Sequence, residues 1–313
     1  MGGMARCNVT RKLPFDALGR LRAEHDVEFW RGALPPTPAE LRELATDAAG
    51  ILSMLSDAID RKLIDACPDL RAVANYAVGT DNIDVDYARE RGITVGNTPG
   101  VLTETTADLA FALILATSRR IVEAAVSVRK GEWSTWEAAG WLGHDVHGAT
   151  LGIIGPGSIG EAVAGRGGGF GMRILRHGRH PGPGRVELDE LLAESDIVSL
   201  HCPLTDETRG LIGEQALMAM KQSAILVNTA RGEIVDSEAL RKALESGWIA
   251  GAGLDVTDPE PLPADDPLLD APNLTVVPHI GSASHATRGR MATMAVDNLL
   301  AGLAGEEMPS PVG

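Results

Sequence analysis

The sequence has few cysteines, few aromatic residues and too few basic residues to balance its acidic ones. The three cysteines among 313 residues, at positions 7, 67 and 202, are too few and too widely spaced for a disulfide framework. Lys and Arg number 28 against 43 Asp and Glu, which gives a net charge of -15 and argues against a nucleic-acid partner. The longest apolar stretch, residues 109–116, is too short to span a bilayer. These absences favour a protein of the reducing cytoplasm that binds neither nucleic acid nor membrane.

Apolar residues are plentiful enough for two packed domains. They make up 44% of the chain, and 313 residues is roughly twice the length of about 150 residues typical of one domain. Strand-like and helix-like segments alternate before residue 97 and again after residue 150, which predicts parallel sheets covered by helices. A long helix is predicted over about 103–130 and a last helix over about 285–303. The expected layout is a discontinuous domain (1–98 and 285–313) with a second domain (99–284) inserted and a ligand cleft between them.

A strand–turn–helix–strand pattern occupies residues 150–179. An apolar run precedes three glycines in G-x-G-x-x-G spacing, which are Gly155, Gly157 and Gly160. In such a unit the first glycine allows the tight turn, the second lets a pyrophosphate approach the backbone, and the third lets helix and strand pack closely. The phosphates then meet the free N–H groups of the helix N-terminus. Because the flanking elements are in register, the pattern predicts a dinucleotide site rather than a glycine-rich turn without function.

Three polar side chains follow apolar strands of this second domain, where ligands sit in open α/β sheets. Arg231 has the planar, bidentate geometry that suits a carboxylate. Glu260 stands in a proline-flanked loop after Asp255, and His279 is the residue type best suited to proton transfer near neutral pH. The alternatives are that Arg231 forms a surface salt bridge, that Glu260 lies in a solvated acidic loop and that His279 is structural. His144 and His147 lack the further ligands of a zinc site, so no metal is expected.

Six segments carry a family resemblance. They are NYAVGTDNIDV (75–85), NTPGVLTETTADLA (97–110), LGIIGPGSIG (151–160), VNTARGEIV (227–235), AGLDVTDPEPLP (252–263) and PHIGSASHATR (278–288). Over nearly its whole length the chain resembles the D-isomer-specific 2-hydroxyacid dehydrogenases, and within them the glyoxylate/hydroxypyruvate reductases. The resemblance implies an α/β protein with two doubly wound parallel-sheet domains, in which a Rossmann-type cofactor domain is inserted in a flavodoxin-like substrate domain. It also implies a homodimer, for which we expect the 103–130 helix and three tryptophans (Trp133, Trp136, Trp141) to form the interface.

The resemblance also assigns roles to residues. Arg231, Glu260 and His279 match the catalytic residues, with His279 as the proton donor to a small 2-oxo acid. The backbone of Val78 and Gly79 matches the loop that holds the substrate carboxylate, together with Arg231 and His279. The residues expected to line the cofactor are Gly155, Gly157, Ser158, Ile159, Gly160, Gly178, Arg179, His180, Pro203, Thr208, Thr229, Asp255 and Gly281.

The end of the second strand of the glycine unit indicates which cofactor is used. NAD sites place an acidic residue there to bind the ribose 2′-hydroxyl, but this chain has Gly178, followed by Arg179 and with Arg176 nearby. An acid would repel a 2′-phosphate and arginines would attract it, so we expect NADPH to be preferred over NADH. Two alternatives stay open: an NAD-linked dehydrogenase of another 2-hydroxy acid, and a nucleotide-sensing binding protein on the same fold.

Overall fold

The computed structural model describes residues 4–313 as two compact units. The first unit runs to Leu102 and takes in Ser282–Gly313, and the second is Thr103–Gly281. The sequence placed these boundaries at residues 98 and 285, and its first domain begins with residues 1–3, which lie outside the described part. In residues 4–313 no helix is both long and apolar enough to cross a membrane. All three cysteines are buried and free.

The first unit is a five-stranded parallel sheet in the order β2-β1-β3-β4-β5. Its strands are β1 (Arg6–Val9), β2 (Asp26–Phe29), β3 (Gly50–Ser53), β4 (Ala72–Asn75) and β5 (Thr94–Gly96). Its helices are α1 (Gly19–Glu24), α2 (Pro38–Ala45), α3 (Arg61–Ala66), α4 (Val85–Glu90) and the C-terminal helix His285–Ala304. The strand order is the flavodoxin-like one that was predicted.

Local chemistry explains how elements of the first unit begin and pack. Thr37 caps α2 in a complete capping box with Glu40. Strands β3 and β4 are buried on both faces, as parallel strands between helix layers must be. The C-terminal helix lies close to the sheet, since a Cβ on Gly50 would come within 2.9 Å of the Leu299 side chain.

The second unit is a six-stranded parallel sheet in the order β11-β10-β9-β8-β6-β7. Its strands are β6 (Thr150–Ile154), β7 (Arg173–His177), β8 (Ile197–Leu200), β9 (Ile225–Asn228), β10 (Gly251–Leu254) and β11 (Leu274–Val276). Its helices are α5 (Thr103–Ser118), α6 (Ile121–Arg129), α7 (Ser158–Gly169), α8 (Leu188–Glu194), α9 (Glu214–Ala219) and α10 (Ser237–Glu245). Short 3₁₀ turns lie at Gly232–Ile234 and Pro267–Asp270. From β6 the chain adds β7 on one side, and it then adds β8 to β11 on the other side. The order of strands therefore reverses between β6 and β8, and doubly wound sheets bind ligands at such a point.

The predicted helix over 103–130 is wrong in one respect, because it is two helices. Arg120 adopts a left-handed conformation with φ of 52° and separates α5 from α6. Its guanidinium lies over the ring of Trp141, 5.2 Å from the centroid, and pairs with Glu123 at 2.7 Å. These two contacts hold a backbone conformation that an arginine otherwise rarely adopts.

Candidate active site

The glycine turn between β6 and α7 has the geometry of a phosphate cradle. Gly155 has φ of 84°, and a side chain there would collide with the backbone of Cys202. A Cβ on Gly160 would lie 2.7 Å from the Gly155 carbonyl oxygen, so helix and turn touch. A Cβ built on Gly157 would point into open space, because no described atom beyond its two neighbours in the chain would lie within 4 Å of it. The first N–H groups of α7, at Ser158 and Ile159, have no acceptor inside the helix. These residues therefore fit a pyrophosphate.

Two further segments predicted to line a cofactor follow β7 and β8. Gly178, Arg179 and His180 come directly after β7 and are exposed. After β8, the Thr208 hydroxyl donates to the Pro203 carbonyl at 2.7 Å and accepts from the Thr205 N–H at 2.8 Å. The Thr208 side chain thus fixes the turn that Pro203 begins.

Glu260 and His279 are brought together. Oε1 of Glu260 lies 2.6 Å from Nδ1 of His279, and the His279 side chain is 24% exposed. With Nδ1 held by the carboxylate, Nε2 is the ring nitrogen left to exchange a proton with a ligand. His279 itself has φ of 52°, and its N–H donates to the Asp255 carbonyl at 2.9 Å. Such a strained conformation at a histidine is typical of functional sites.

Asp255 anchors the segment that carries His279. It is 2% exposed, and its carboxylate accepts from the N–H groups of Ile280 at 2.6 Å and Gly281 at 2.8 Å. Burial raises the pKa of Asp255, while these two hydrogen bonds act in the opposite direction. A Cβ on Gly281 would lie 3.0 Å from Oδ2 of Asp255, so any larger residue there would press on this carboxylate. The contact with the cofactor that was predicted for Asp255 stays a prediction.

Arg231 follows β9 in a loop that Asn228 holds from within. The buried Asn228 side chain donates to the Arg231 carbonyl at 2.8 Å and accepts from the Ala230 N–H at 2.9 Å. A side chain on Gly232 would collide with the backbone at Thr257, so the loop packs tightly on its neighbour. Arg231, Glu260 and His279 thus follow β9, β10 and β11, three adjacent strands, at the same edge of the sheet.

In the first unit, asparagines orient the loop of Val78 and Gly79. Asn97 donates to the Val78 carbonyl at 2.7 Å, and Asn75 donates to the Gly79 carbonyl at 2.8 Å. Because the peptide group is planar and trans, a fixed Val78 carbonyl also fixes the Gly79 N–H on the opposite side. Asn75 is itself held by the Ser53 hydroxyl at 3.1 Å.

Sequence reasoning missed the supporting asparagines. Asn75 and Asn228 are fully buried, and each is the last residue of an apolar strand. A buried polar residue needs hydrogen-bond partners. An asparagine at the end of an apolar run is therefore the sequence signal that could have indicated this supporting role.

Two cavities, of about 250 and 260 Å³, lie beside His144 and Ser118, and no predicted site residue lines either one. His144 and His147 line the first cavity. Residues 4–313 contain no group of three or more His, Cys, Asp or Glu side chains arranged to hold a metal ion.

The doubly wound sheets, the phosphate cradle and the Glu–His pair together define a dinucleotide-dependent oxidoreductase. The sequence profile of the D-isomer specific 2-hydroxyacid dehydrogenase NAD binding domain matches residues 111–281. A glyoxylate reductase of Korarchaeum cryptofilum is 52% identical over 98% of this chain and 95% of its own length. The chain therefore belongs to the D-isomer-specific 2-hydroxyacid dehydrogenase family and is an NAD(P)-dependent dehydrogenase, as predicted.

Solved structures agree with this assignment. The TT0316 protein of Thermus thermophilus superimposes with a TM-score of 0.94 at 52% identity, over 98% of this chain and all of that one. An NADPH-dependent glyoxylate/hydroxypyruvate reductase from Sinorhizobium meliloti, solved with NADP and malonate, gives a TM-score of 0.88 at 35% identity, over 99% of this chain and 97% of that one. The predicted fold, a Rossmann-type cofactor domain with a second parallel-sheet domain, is confirmed.

Proposed function

We propose that this protein reduces small 2-oxo acids, glyoxylate and hydroxypyruvate among them, to 2-hydroxy acids with NADPH, and that His279 donates the proton. The observation that carries the proposal is the 2.6 Å contact between Glu260 and His279 at the edge of the sheet that also bears the phosphate cradle. The relatives named glyoxylate reductases support the choice of substrate.

The residues act on a carbonyl that becomes an alcohol. A bound reduced nicotinamide supplies the hydride that adds to the carbonyl carbon. His279 supplies a proton from Nε2 to the carbonyl oxygen, and the Glu260 carboxylate orients the ring and stabilises its charged form. The Arg231 guanidinium orients the 2-oxo acid and polarises its carbonyl. The backbone of Val78 and Gly79 holds the substrate carboxylate.

The main test replaces the proton donor. His279→Gln removes the acid and should lower kcat with glyoxylate by about 10²- to 10⁴-fold, the usual contribution of a positioned acid or base. The exposed His147, outside the proposed site, provides the control, and His147→Gln should leave kcat unchanged. Near-normal turnover in His279→Gln would contradict the assignment.

The two alternatives give different results in the same assays. A nucleotide-sensing binding protein would bind NADPH without turnover of any 2-oxo acid by the wild type. An NAD-linked dehydrogenase would show a higher kcat/KM with NADH than with NADPH. The proposal requires turnover and the opposite order of the two cofactors, because Gly178 leaves no carboxylate for the ribose 2′-hydroxyl.

A homodimer is part of the proposal. The side chains of Ile121 on α6 and of Trp136 in the following loop are 52% and 81% exposed, and other apolar residues beside them are also exposed. Such an apolar surface is typical of a subunit interface, and tryptophan is enriched there. Analytical ultracentrifugation should give twice the 32.9 kDa of one chain, and Trp136→Ser should weaken the association. A monomer at micromolar concentration would contradict this part.

A further inference from the structure

Three arginines lie around the end of β7, and they differ in whether a carboxylate or solvent neutralises their charge. Arg176 forms a two-pronged ion pair with Glu161, with nitrogen–oxygen distances of 2.9 and 3.0 Å. Its charge is therefore already balanced by a carboxylate of α7. Arg179 is exposed at the tip of the segment. The third arginine, Arg185, lies further along the chain, where the segment returns to the sheet.

The segment that carries Arg185 returns to β7 and forms a short stretch of parallel backbone pairing with it. The Arg176 N–H donates to the Gly184 carbonyl at 2.8 Å, and the Val186 N–H donates to the Arg176 carbonyl at 2.9 Å. Arg176 and Arg185 form a single parallel bridge outside the named strands. This bridge takes the place of the third strand in the 3-2-1 half of a Rossmann sheet. Arg185 is therefore fixed by the backbone beside the end of β7.

The Arg185 guanidinium lies against Gly178. A Cβ on Gly178 would be 2.8 Å from one terminal nitrogen of Arg185 and 3.0 Å from the Pro156 ring. The cation thus occupies the space into which an acidic side chain at 178 would project. Nε and that same terminal nitrogen are buried and have no hydrogen-bond partner within residues 4–313. Buried donors of a charged group without an acceptor are costly, and an anion would satisfy them.

We propose that Arg185 is a specificity-determining residue for the cofactor, whose guanidinium pairs with the 2′-phosphate on the adenosine ribose of NADPH. This inference rests on the proposed preference for NADPH and names the residue that enforces it. It also explains why position 178 is a glycine. A carboxylate there would pair with Arg185 itself and would leave the 2′-phosphate facing a neutralised site.

The experiment measures binding of two cofactor fragments by calorimetry, without turnover. The fragments 2′,5′-ADP and 5′-AMP differ only in the 2′-phosphate. The wild type should bind 2′,5′-ADP more tightly. Arg185→Gln should weaken 2′,5′-ADP binding by about 10- to 100-fold, as expected for a charge-assisted pair, and change 5′-AMP binding by less than about twofold. Arg173→Gln is the matched control, because Arg173 begins the same strand at its opposite end and pairs with Glu194. It should change neither affinity.

Each outcome is informative. If the wild type prefers 2′,5′-ADP and Arg185→Gln keeps that preference, the role of Arg185 is overturned while the NADPH preference stands. If the wild type does not distinguish the fragments, the proposed cofactor preference fails and the inference fails with it. Should Arg185→Gln not fold, Arg185→Lys keeps the charge but loses the planar fork. It should still bind 2′,5′-ADP at least about fivefold more weakly than the wild type, and unchanged binding would overturn the proposal.

Discussion

His201 makes the stability of the second unit depend on pH in a way that one substitution can isolate. Its ring directly follows β8, with Nε2 at 2.9 Å from the Ser199 hydroxyl and Nδ1 at 3.4 Å from the Thr229 hydroxyl. Burial lowers the pKa of His201 from its usual 6.5 to about 3. The folded state therefore binds this proton less readily than the unfolded state. The stabilising contribution is complete above pH 6.5 and is lost as the pH falls toward 3.

The expected size follows from these two pKa values. At pH 5 the unfolded ring is almost fully protonated while the folded ring is neutral, so moving from pH 7 to pH 5 costs about 2 kcal/mol of unfolding free energy. Part of the residue reaches solvent, which screens the charge and places the expected loss at about 1 to 2 kcal/mol. His201→Gln keeps a donor for Ser199 but does not titrate, so it should remove this part of the loss.

Urea titrations at pH 7 and pH 5 measure the effect. Four of the five tryptophans lie in the second unit, so tryptophan fluorescence reports mainly on its unfolding. The wild type should lose about 1 to 2 kcal/mol more than His201→Gln between the two pH values, and His147→Gln should behave as the wild type. Equal losses in the wild type and His201→Gln would show that the folded ring accepts a proton freely, which would refute the reasoning.

Three further predictions follow from single contacts. Glu260→Gln keeps a hydrogen-bonding group near His279 but removes the charge, so kcat with glyoxylate should fall at least about tenfold while binding of NADPH by fluorescence titration stays unchanged. Asn75→Leu removes the amide that holds the Gly79 carbonyl, so the KM for glyoxylate should rise about tenfold, equivalent to about 1.4 kcal/mol, and the KM for NADPH should not. Thr37→Ala removes the capping box of α2 and should cost about 1 kcal/mol by urea denaturation without changing kcat.

Each of these predictions has an outcome that would contradict it. Loss of NADPH binding in Glu260→Gln would mean that the residue supports the cofactor site rather than His279. Equal rises of both KM values in Asn75→Leu would indicate general damage instead of a displaced substrate loop. An unchanged denaturation midpoint in Thr37→Ala would show that the cap adds nothing to α2.

The features that could be predicted are those with local causes. The strands β9, β10 and β11 are apolar runs, and the polar residues that follow them are visible in the sequence as interruptions of those runs. The capping box at Thr37 needs only a residue three positions away. For the same reason the strand–glycine–helix unit around Gly155 was placed correctly.

The features that could not be predicted depend on residues far apart in the chain. The break at Arg120 is held by Trp141, 21 positions later, so helical periodicity alone extended α5 too far. The carboxylate of Asp255 accepts from the backbone of Ile280 and Gly281, which no pattern around Asp255 reveals. Arg185 lies beside Gly178 only because the segment between them folds back on β7.

The single bridge between Arg176 and Arg185 has an evolutionary consequence. A full third strand would tie this segment into the sheet, and any insertion or deletion would disturb the core. One bridge leaves the segment between His177 and Val186 open to changes of length and sequence at small energetic cost. Arg231 and His279, in contrast, are locked to buried strands by Asn228 and Asp255. The segment that we propose recognises the cofactor can thus change more readily than the loops that carry Arg231 and His279.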